Sequence, residues 1–592
     1  MTTVAVEEVT WQLADLLSGQ PTVDGLLDRA EAIAEEVAAH RDKVGQLDRS
    51  QLEQVMRRMG EMHDLAGRAT SFSTLRFAAD TTDPANGALM QHVQERLTSI
   101  RSRLIFFELE WSALPDQRAA ELLSAPELTF CRHHLEVLRR MRPHLLSEPE
   151  ERILTEKAVT GPMAWDRLFD ELISGVELQL DGATVGLEEG LARLRSADRD
   201  KRRQAAQAIT EGLAPGLRTR AFVYNTLLYD KAIDDRLRHF DHWLASRNLA
   251  NEASDQSVEA LVEAVRSRYD IAQRWYRLKA RLLGVDRLAD YDRMAPVAAE
   301  EPEVGWDEAR TTVLDSYASF SAEMADIARR FFDERWIDAP VRPGKRPGAF
   351  CDYTVPSVHP YLLLNFTSRR SDILTLAHEL GHGIHGVLAS GQGIFHQEMP
   401  LTLAETASVF GETVTFGRLL GQTTDAESRL ALLAEHVDGA VATVFRQTAM
   451  NRFEHLVHTA RRHEGELSVD RLGELWADSQ AEMFGDSVEV TEGYRSWWSY
   501  IPHFISTPGY VYAYAYGQLL SLSVYRRYEE NGAGFVPRYL ELLAAGGSDS
   551  PDVLARLVGC DLSDPAFWHG GLEIIEGELA AAEQAAADAG KI

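Results

Sequence analysis

The segment from His378 to His382 reads H-E-x-x-H, and its geometry works only if this part of the chain is helical. On an α-helix, side chains four residues apart project from nearly the same face, one turn apart. Both imidazoles can then reach one zinc ion at about 2.0–2.1 Å. Glu379 lies between them, and in this motif such a glutamate acts as a base toward water. The motif therefore predicts a helix that carries a zinc site and its general base.

The residues around the motif predict how this helix packs. Small and apolar residues recur on one side of it, so we expect that side to be buried. We expect Ser371 and Asp372 to cap its N-terminus. Gly381 and Gly383 each cost a helix up to about 1 kcal/mol relative to alanine. Their presence predicts that another element approaches the helix closely at this point.

A catalytic zinc ion needs three protein ligands and one open position. The longer metzincin motif has glycine at position 385 and histidine at position 388, but this chain has His385 and Leu388, which excludes that class. Glu405, on a following predicted helix with small neighbours, is the best third ligand. Glu412 lies seven residues later on the same face but about 10 Å along the axis, so it is a weaker ligand candidate and is better placed to support a ligand. We expect His385 to lie in the cleft or to contact a ligand.

Apolar residues recur at helical spacing through most of the chain, which predicts a mainly α-helical fold. We predict two parts along the sequence. Residues 1–200 form an N-terminal helical lobe, and residues 201–592 form the catalytic domain that contains the zinc motif. The helical pattern continues through this boundary, so composition alone does not mark it.

Signals for β-structure are few. Residues 176–185 read as a small hairpin around the turn sequence Asp181-Gly182. Residues 350–353 and 361–366 read as two short strands that precede the zinc helix. Either of these strands could pair with the backbone of a bound peptide.

Composition excludes several classes of partner. The 592-residue chain has a formal net charge of −30, which argues against binding to nucleic acid or to anionic membranes. No stretch approaches the roughly 18 apolar residues of a membrane span. The three cysteines, Cys131, Cys351 and Cys560, are far apart and suggest no disulfide framework. Because the N-terminal sequence also lacks the pattern of a secretory signal, we expect a cytoplasmic protein.

Three segments of the chain, in order, resemble the oligoendopeptidase F branch of the thimet-oligopeptidase family of zinc metallopeptidases. They are residues 377–385, residues 405–412 and residues 500–517. The resemblance implies a two-lobed helical clamshell with a deep central channel and a small β element near the zinc site. It also implies cleavage of internal bonds in short, unstructured oligopeptides.

The resemblance assigns roles to individual residues. It implies one zinc ion per chain, bound by His378, His382 and Glu405, with Glu379 as the general base. This set agrees with the one that the H-E-x-x-H spacing and the following helix indicate without it.

The same resemblance implies that His503, Tyr510 and Tyr514 bind substrate and that His503 and Tyr510 also take part in catalysis. Tyr510 and Tyr514 are four residues apart and would share a helix face, whereas Tyr512 and Tyr516 would share another. The choice among Tyr510, Tyr512 and Tyr514 as the donor to the transition state stays open at this point.

Two other functions fit part of the pattern. One is a dipeptide-releasing carboxypeptidase, an activity that the same family contains. The other is a peptide-binding scaffold with a structural zinc ion, although structural sites usually have four protein ligands. The sequence does not determine the oligomeric state.

Overall fold

The computed structural model describes residues 5–19, 22–297 and 303–592. Within them the fold is mainly α-helical, as the apolar pattern predicts. The helices, in chain order, are α1 (Val23–Ala38), α2 (Arg49–Ala79), α3 (Pro84–Ala113), α4 (Asp116–Leu123), α5 (Arg132–Arg140), α6 (Glu148–Ala158), α7 (Pro162–Ser174), α8 (Leu187–Arg193), α9 (Arg199–Leu213), α10 (Leu217–Leu237), α11 (Ala245–Ala250), α12 (Asp255–Ser267), α13 (Tyr269–Leu282), α14 (Trp306–Phe320), α15 (Ala322–Asp333), α16 (Arg370–Ala389), α17 (Leu401–Gln422), α18 (Ala426–Ala440), α19 (Gln447–Glu464), α20 (Val469–Phe484), α21 (His503–Ser506), α22 (Tyr512–Asn531), α23 (Val536–Ala545), α24 (Pro551–Ala555) and α25 (Pro565–Asp588).

The strands form small sheets. Strands β1 (Glu177–Leu180) and β2 (Ala183–Gly186) pair antiparallel. Asp181 and Gly182 between them both have positive φ values, 54° and 80°, as a primed hairpin turn requires. The predicted hairpin is therefore confirmed.

A three-stranded sheet precedes α16. The first of its strands, β4, spans Ile337–Pro340 and pairs parallel with the central strand, which spans Tyr361–Phe366 and is named β6. The remaining strand, β5 (Phe350–Asp352), pairs antiparallel with β6 and lies at the edge. Both strands predicted before the zinc helix are thus present. A further short pair joins β3 (Leu288–Ala289) to β7 (Val488–Glu489) in parallel.

The chain divides into two compact units, each assembled from three segments. The first unit contains Met1–Arg142, Glu301–Leu419 and Arg527–Cys560. The second contains Pro143–Glu300, Leu420–Arg526 and Asp561–Ile592. The predicted boundary at residue 200 falls inside a segment of the second unit, and the division at that residue stays a prediction. The clamshell with a central channel also stays a prediction.

In the first unit, helices α1 to α5 form a shared hydrophobic core with buried residues such as Leu26, Met56, Phe107 and Trp111. Helix α16 packs against α14, α15, β5 and β6. Its buried side includes Ile373, which is 2% exposed. The small and apolar side of the zinc motif is thus the buried side, as predicted.

Helix α16 begins at Arg370, so Ser371 and Asp372 lie inside it, and the prediction that they cap its start is confirmed for Asp372 only. Asp372 lies in the first turn, where its carboxylate accepts hydrogen bonds from the backbone N–H groups of Arg369 (3.0 Å) and Thr367 (2.6 Å). The carboxylate therefore stabilises the helix start from inside the helix. Its negative charge also suits the positive end of the helix dipole.

In the second unit, α21 and α22 are joined by a short loop, residues 507–511, in which Gly509 has a φ of +76°. Helix α12 begins after Ser254, whose hydroxyl accepts from the backbone N–H of Ser257. Across the described parts of both units, every helix is too short or too polar to cross a bilayer.

Candidate active site

His378 and His382 lie one turn apart on α16, and their rings are close together. The ring centroids are 5.0 Å apart and the ring planes meet at 78°. Both side chains are partly buried. The helical spacing of the motif therefore brings the two imidazoles together, as predicted.

Glu405, on α17, lies directly against both histidines. Its Oε2 atom is 3.4 Å from His378 Nε2 and 3.7 Å from His382 Nε2. The hydroxyl of Ser408, three residues later, donates a hydrogen bond of 2.7 Å to the same oxygen. The structure therefore brings the three predicted ligand side chains together.

Two glycines on α16 explain why its neighbouring helices α17 and α15 can come so close. A Cβ atom on Gly381 would lie 2.5 Å from the backbone oxygen of Ala407 and from Ser408 Cα. A Cβ atom on Gly383 would lie 2.5 Å from the ring of Phe331 on α15. Both distances are far below ordinary contact, so the two glycines permit the close packing that the sequence predicts.

The other ring nitrogens of the two histidines have their own partners. His378 Nδ1 donates to Glu412 Oε2 over 3.1 Å, because a carboxylate can only accept. His382 Nδ1 lies 3.0 Å from the hydroxyl of Tyr353, just after β5. These contacts orient both rings so that their Nε2 atoms face Glu405. Glu412 was predicted to support a ligand, whereas no sequence spacing indicated Tyr353.

The donor set fits a zinc ion. The ligand atoms of His378, His382 and Glu405 lie within 4.8 Å of one another. Ligands at about 2.0–2.2 Å in a tetrahedron are about 3.3–3.6 Å apart, close to the two distances from Glu405. Two imidazoles and one carboxylate are also the ligand set of a class of catalytic zinc sites that keep a fourth position open.

Charge and burial shift the pKa values of the two histidines in opposite directions. Burial lowers the pKa of His378, but the hydrogen bond to Glu412 and the charge of Glu405 outweigh it and raise that pKa to about 9. Burial dominates at His382 and lowers its pKa to about 4. Without a bound cation, His378 is therefore protonated at neutral pH and His382 is neutral.

Glu379 follows His378 on α16 and is 7% exposed. Burial raises its pKa to about 7, although the nearby His378 opposes this shift. A carboxyl group with a pKa near neutrality can both accept and return a proton.

Of the two positions expected for His385, the one in the cleft is wrong, and contact with a ligand stays a prediction. His385 is 2% exposed, so it does not line a cleft. Its Nδ1 atom has no hydrogen-bond partner among the described residues. Burial lowers its pKa to about 3, so the ring is neutral at ordinary pH. His385 is therefore one of the buried residues of α16.

A second group of predicted residues, the tyrosine cluster, comprises His503, Tyr510 and Tyr514 and lies wholly in the second unit. Tyr510 stacks on His503 with ring centroids 6.0 Å apart, and it meets Tyr514 edge-on at 5.2 Å. The Tyr514 hydroxyl lies 3.2 Å from His503 Nε2. All three side chains are partly buried, and burial lowers the pKa of His503. The structure therefore brings these three residues together.

Tyr512 and Tyr516 are different, since both are fully buried on the other face of α22. The hydroxyl of Tyr512 accepts a 3.0 Å hydrogen bond from the amide of Asn251. The hydroxyl of Tyr516 donates to Ser257 Oγ over 3.2 Å. Both of these hydroxyls therefore lie within the core, whereas the side chains of Tyr510 and Tyr514 are only partly buried.

Comparison with known proteins identifies the family. Residues 192–574 match peptidase family M3, and residues 110–177 match the family described as oligopeptidase F. Group B oligopeptidase PepB of Streptococcus agalactiae is 27% identical over 520 residues, which cover 86% of each chain. Oligopeptidase PepF of Bacillus subtilis is 24% identical over 588 residues, which cover 97% of this chain and 86% of that protein.

Solved structures agree on the fold. The crystal structure of oligoendopeptidase-F from Enterococcus faecium matches 96% of this chain and 100% of its own chain, with a TM-score of 0.72 and 22% sequence identity. That structure supports a common fold, and the sequence match to residues 192–574 covers more than half of the chain. The chain therefore belongs to peptidase family M3.

Proposed function

We propose that this protein is a zinc-dependent endopeptidase that hydrolyses internal peptide bonds of short, unstructured oligopeptides. One observation carries the proposal: His378, His382 and Glu405 converge beside Glu379 in a chain of a peptidase family. Relatives along most of the chain are named oligopeptidases and oligoendopeptidases, which supports oligopeptides as substrates.

We propose that His378, His382 and Glu405 bind one zinc ion per chain. When bound, zinc would supply Lewis acidity, which lowers the pKa of water toward neutrality and polarises a carbonyl group. Glu379 accepts a proton from the attacking water and then donates it to the leaving amine. Its burial suits this role, because a desolvated carboxyl group has a pKa near 7 and can exchange a proton at neutral pH.

We propose that the tyrosine cluster binds the peptide and that His503 and Tyr510 also stabilise the transition state. A phenol donates a hydrogen bond without carrying a net charge, and losing one such donor typically lowers turnover by about 10²–10³-fold. Tyr514 contacts both other residues of the cluster. We assign it to substrate binding together with them.

The test is cleavage of a quenched fluorescent oligopeptide whose two ends are blocked. The proposal predicts cleavage at an internal bond, complete loss of cleavage after zinc removal by a chelator, and recovery when zinc is added back. Cleavage of only the peptide with a free C-terminus, two residues from that end, would indicate the dipeptide-releasing carboxypeptidase instead. Peptide binding without cleavage would indicate the scaffold with a structural zinc ion.

We keep the cytoplasm as the proposed compartment. The three cysteines are not bonded to one another, and Cys131 and Cys560 are buried as thiols, which suits a reducing environment. Fractionation of the native cells with detection of the protein would test this assignment.

A further inference from the structure

The loop that carries Tyr510 is held from both sides within the second unit. The carboxyl oxygen Oε1 of Glu454, on α19, accepts a 2.7 Å hydrogen bond from the backbone N–H of Gly509. The guanidinium of Arg247, on α11, donates from Nε to the backbone oxygen of Pro508 over 3.3 Å. The one peptide group that joins Pro508 to Gly509, just before Tyr510, is therefore bonded at both its carbonyl and its N–H to side chains from other helices.

The loop also has no room to shift toward α11. Gly509 has a φ of +76°, and a Cβ atom there would lie 2.5 Å from Leu244 Cδ1 and 3.4 Å from the ring of Trp243. Trp243 is itself supported by His458, which stacks on it at 4.5 Å and lies one turn after Glu454 on α19. The backbone of Gly509 is thus packed against Leu244 and Trp243, and His458 of α19 holds the Trp243 ring in place.

Glu454 is an unusual residue to find at this position. It is 0% exposed, and its Oε2 atom has no hydrogen-bond partner in the part of the chain that the structure describes. Burial raises its pKa to about 8, while the Gly509 N–H and the charge of Arg247 oppose this. A buried carboxyl group with one unpartnered oxygen destabilises a fold. Its bond to Gly509 is the interaction that gives this residue a function.

We infer that Glu454 is a positioning residue, which fixes the Gly509 amide and thereby the placement of the Tyr510 phenol. The inference rests on the proposed function, in which Tyr510 acts on the substrate. Glu454 acts through the backbone of the residue before Tyr510, because its hydrogen bond is to the Gly509 N–H. Because catalysis is sensitive to displacements of about 1 Å, loss of this bond lowers turnover more than substrate binding.

The variants that test this are Glu454→Leu, which removes the acceptor, and Glu454→Gln, whose amide oxygen can still accept from Gly509. With the blocked fluorescent peptide, Glu454→Leu should lower kcat by about ten- to a hundredfold with KM changed less than about threefold. Glu454→Gln should stay within about threefold of wild type. Glu454→Asp moves the carboxyl group away from Gly509 by one methylene and should lower kcat as Glu454→Leu does. It provides the same test with a polar side chain if the leucine variant folds poorly.

A double-mutant cycle separates positioning from a merely structural role. In a Tyr510→Phe background, Glu454→Leu should cost less than about threefold in kcat, because the phenol that it positions is already absent. Asp290→Leu is the matched control. Asp290 is also a buried carboxylate of this unit with one oxygen on a backbone N–H, that of Thr491 at 2.7 Å, and one unpartnered oxygen among described residues. Its effect on kcat should be unchanged by Tyr510→Phe.

Amide hydrogen exchange gives a readout that does not require activity. The Gly509 amide should exchange at least about tenfold faster in Glu454→Leu than in wild type, and near the wild-type rate in Glu454→Gln. Unchanged exchange, an unchanged kcat in Glu454→Leu, or a full additional loss in the Tyr510→Phe background would each overturn the inference. Failure of wild-type protein to cleave the peptide would instead contradict the proposed function.

Discussion

Glu412 Oε2 accepts a hydrogen bond from His378 Nδ1 over 3.1 Å, and this bond fixes which nitrogen of the ring faces Glu405. We therefore predict that Glu412→Leu, which removes the acceptor, weakens zinc binding by about 10- to 100-fold, the usual cost of losing a partner of a metal ligand. Competition with a chromogenic chelator measures the affinity. Glu334→Leu, which removes a surface glutamate paired with Arg330, is the control and should bind zinc like wild type. Equal affinities in all three proteins would show that this bond does not support the metal site.

The close approach of α16 and α17 gives a second prediction. Gly381→Ala places a Cβ atom 2.5 Å from the Ala407 oxygen, so α17 must move away and carry Glu405 with it. We expect a loss of about 1–3 kcal/mol in the free energy of unfolding, together with weaker zinc binding. Gly417→Ala, on α17, is the matched control, because a Cβ atom there meets nothing within 4 Å. It should be neutral or stabilise by up to about 1 kcal/mol. Two alanine variants with the same stability would contradict the packing described.

Much of the site could be predicted because its determinants are local or periodic. Two histidines four residues apart on a helix must share a face, and the glycines between and after them indicate a close neighbour. The contact between Tyr353 and His382 could not be predicted in this way. It joins a residue after an edge strand to one 29 positions later, and no spacing rule connects the two.

The fold shows the same division. The hairpin and the two strands before α16 follow from turn residues and short apolar runs. The composition of the two units does not, because each unit combines three segments that are distant in sequence. The start of α16 was misplaced because Asp372 caps the helix from within its first turn, whereas the usual signal places the capping residue before the helix.

The pKa of His378 predicts that zinc binding releases a proton. Without metal this pKa is about 9, so the ring is protonated at pH 7, and a ligand must be neutral. We expect about one proton to be released per zinc at pH 7. The apparent affinity should rise about tenfold per pH unit until the pH approaches 9. Calorimetric titration in two buffers of different ionisation enthalpy measures the release. Heats that do not depend on the buffer would be inconsistent with this protonation state.

The buried ring of His134 should make the free energy of unfolding fall as the pH is lowered. Its ring lies 4.8 Å from that of Phe395, and burial, followed by the charges of neighbouring histidines, lowers its pKa from 6.5 to about 4. Because the folded state favours the neutral ring, its contribution is complete above pH 6.5 and is lost as the pH falls toward 4. The slope that one such group contributes is at most about 1.4 kcal/mol per pH unit.

Urea unfolding of the protein at several pH values between 4 and 7 measures this slope. His134→Leu should make the decline at low pH shallower, whereas His463→Leu, which replaces an exposed histidine at the end of α19, should leave it unchanged. A decline that is equally steep in the wild type and in both variants would mean that other groups cause the acid sensitivity.

In the proposed mechanism, Glu379 transfers the proton at a site whose metal is bound by other residues. The most direct measurement is the turnover of the blocked fluorescent peptide by Glu379→Gln protein that contains one zinc ion per chain. A glutamine of the same shape cannot accept the proton, so we predict full zinc content and a fall in kcat of at least about a hundredfold. A zinc-loaded Glu379→Gln enzyme with a kcat close to that of wild type would contradict the account.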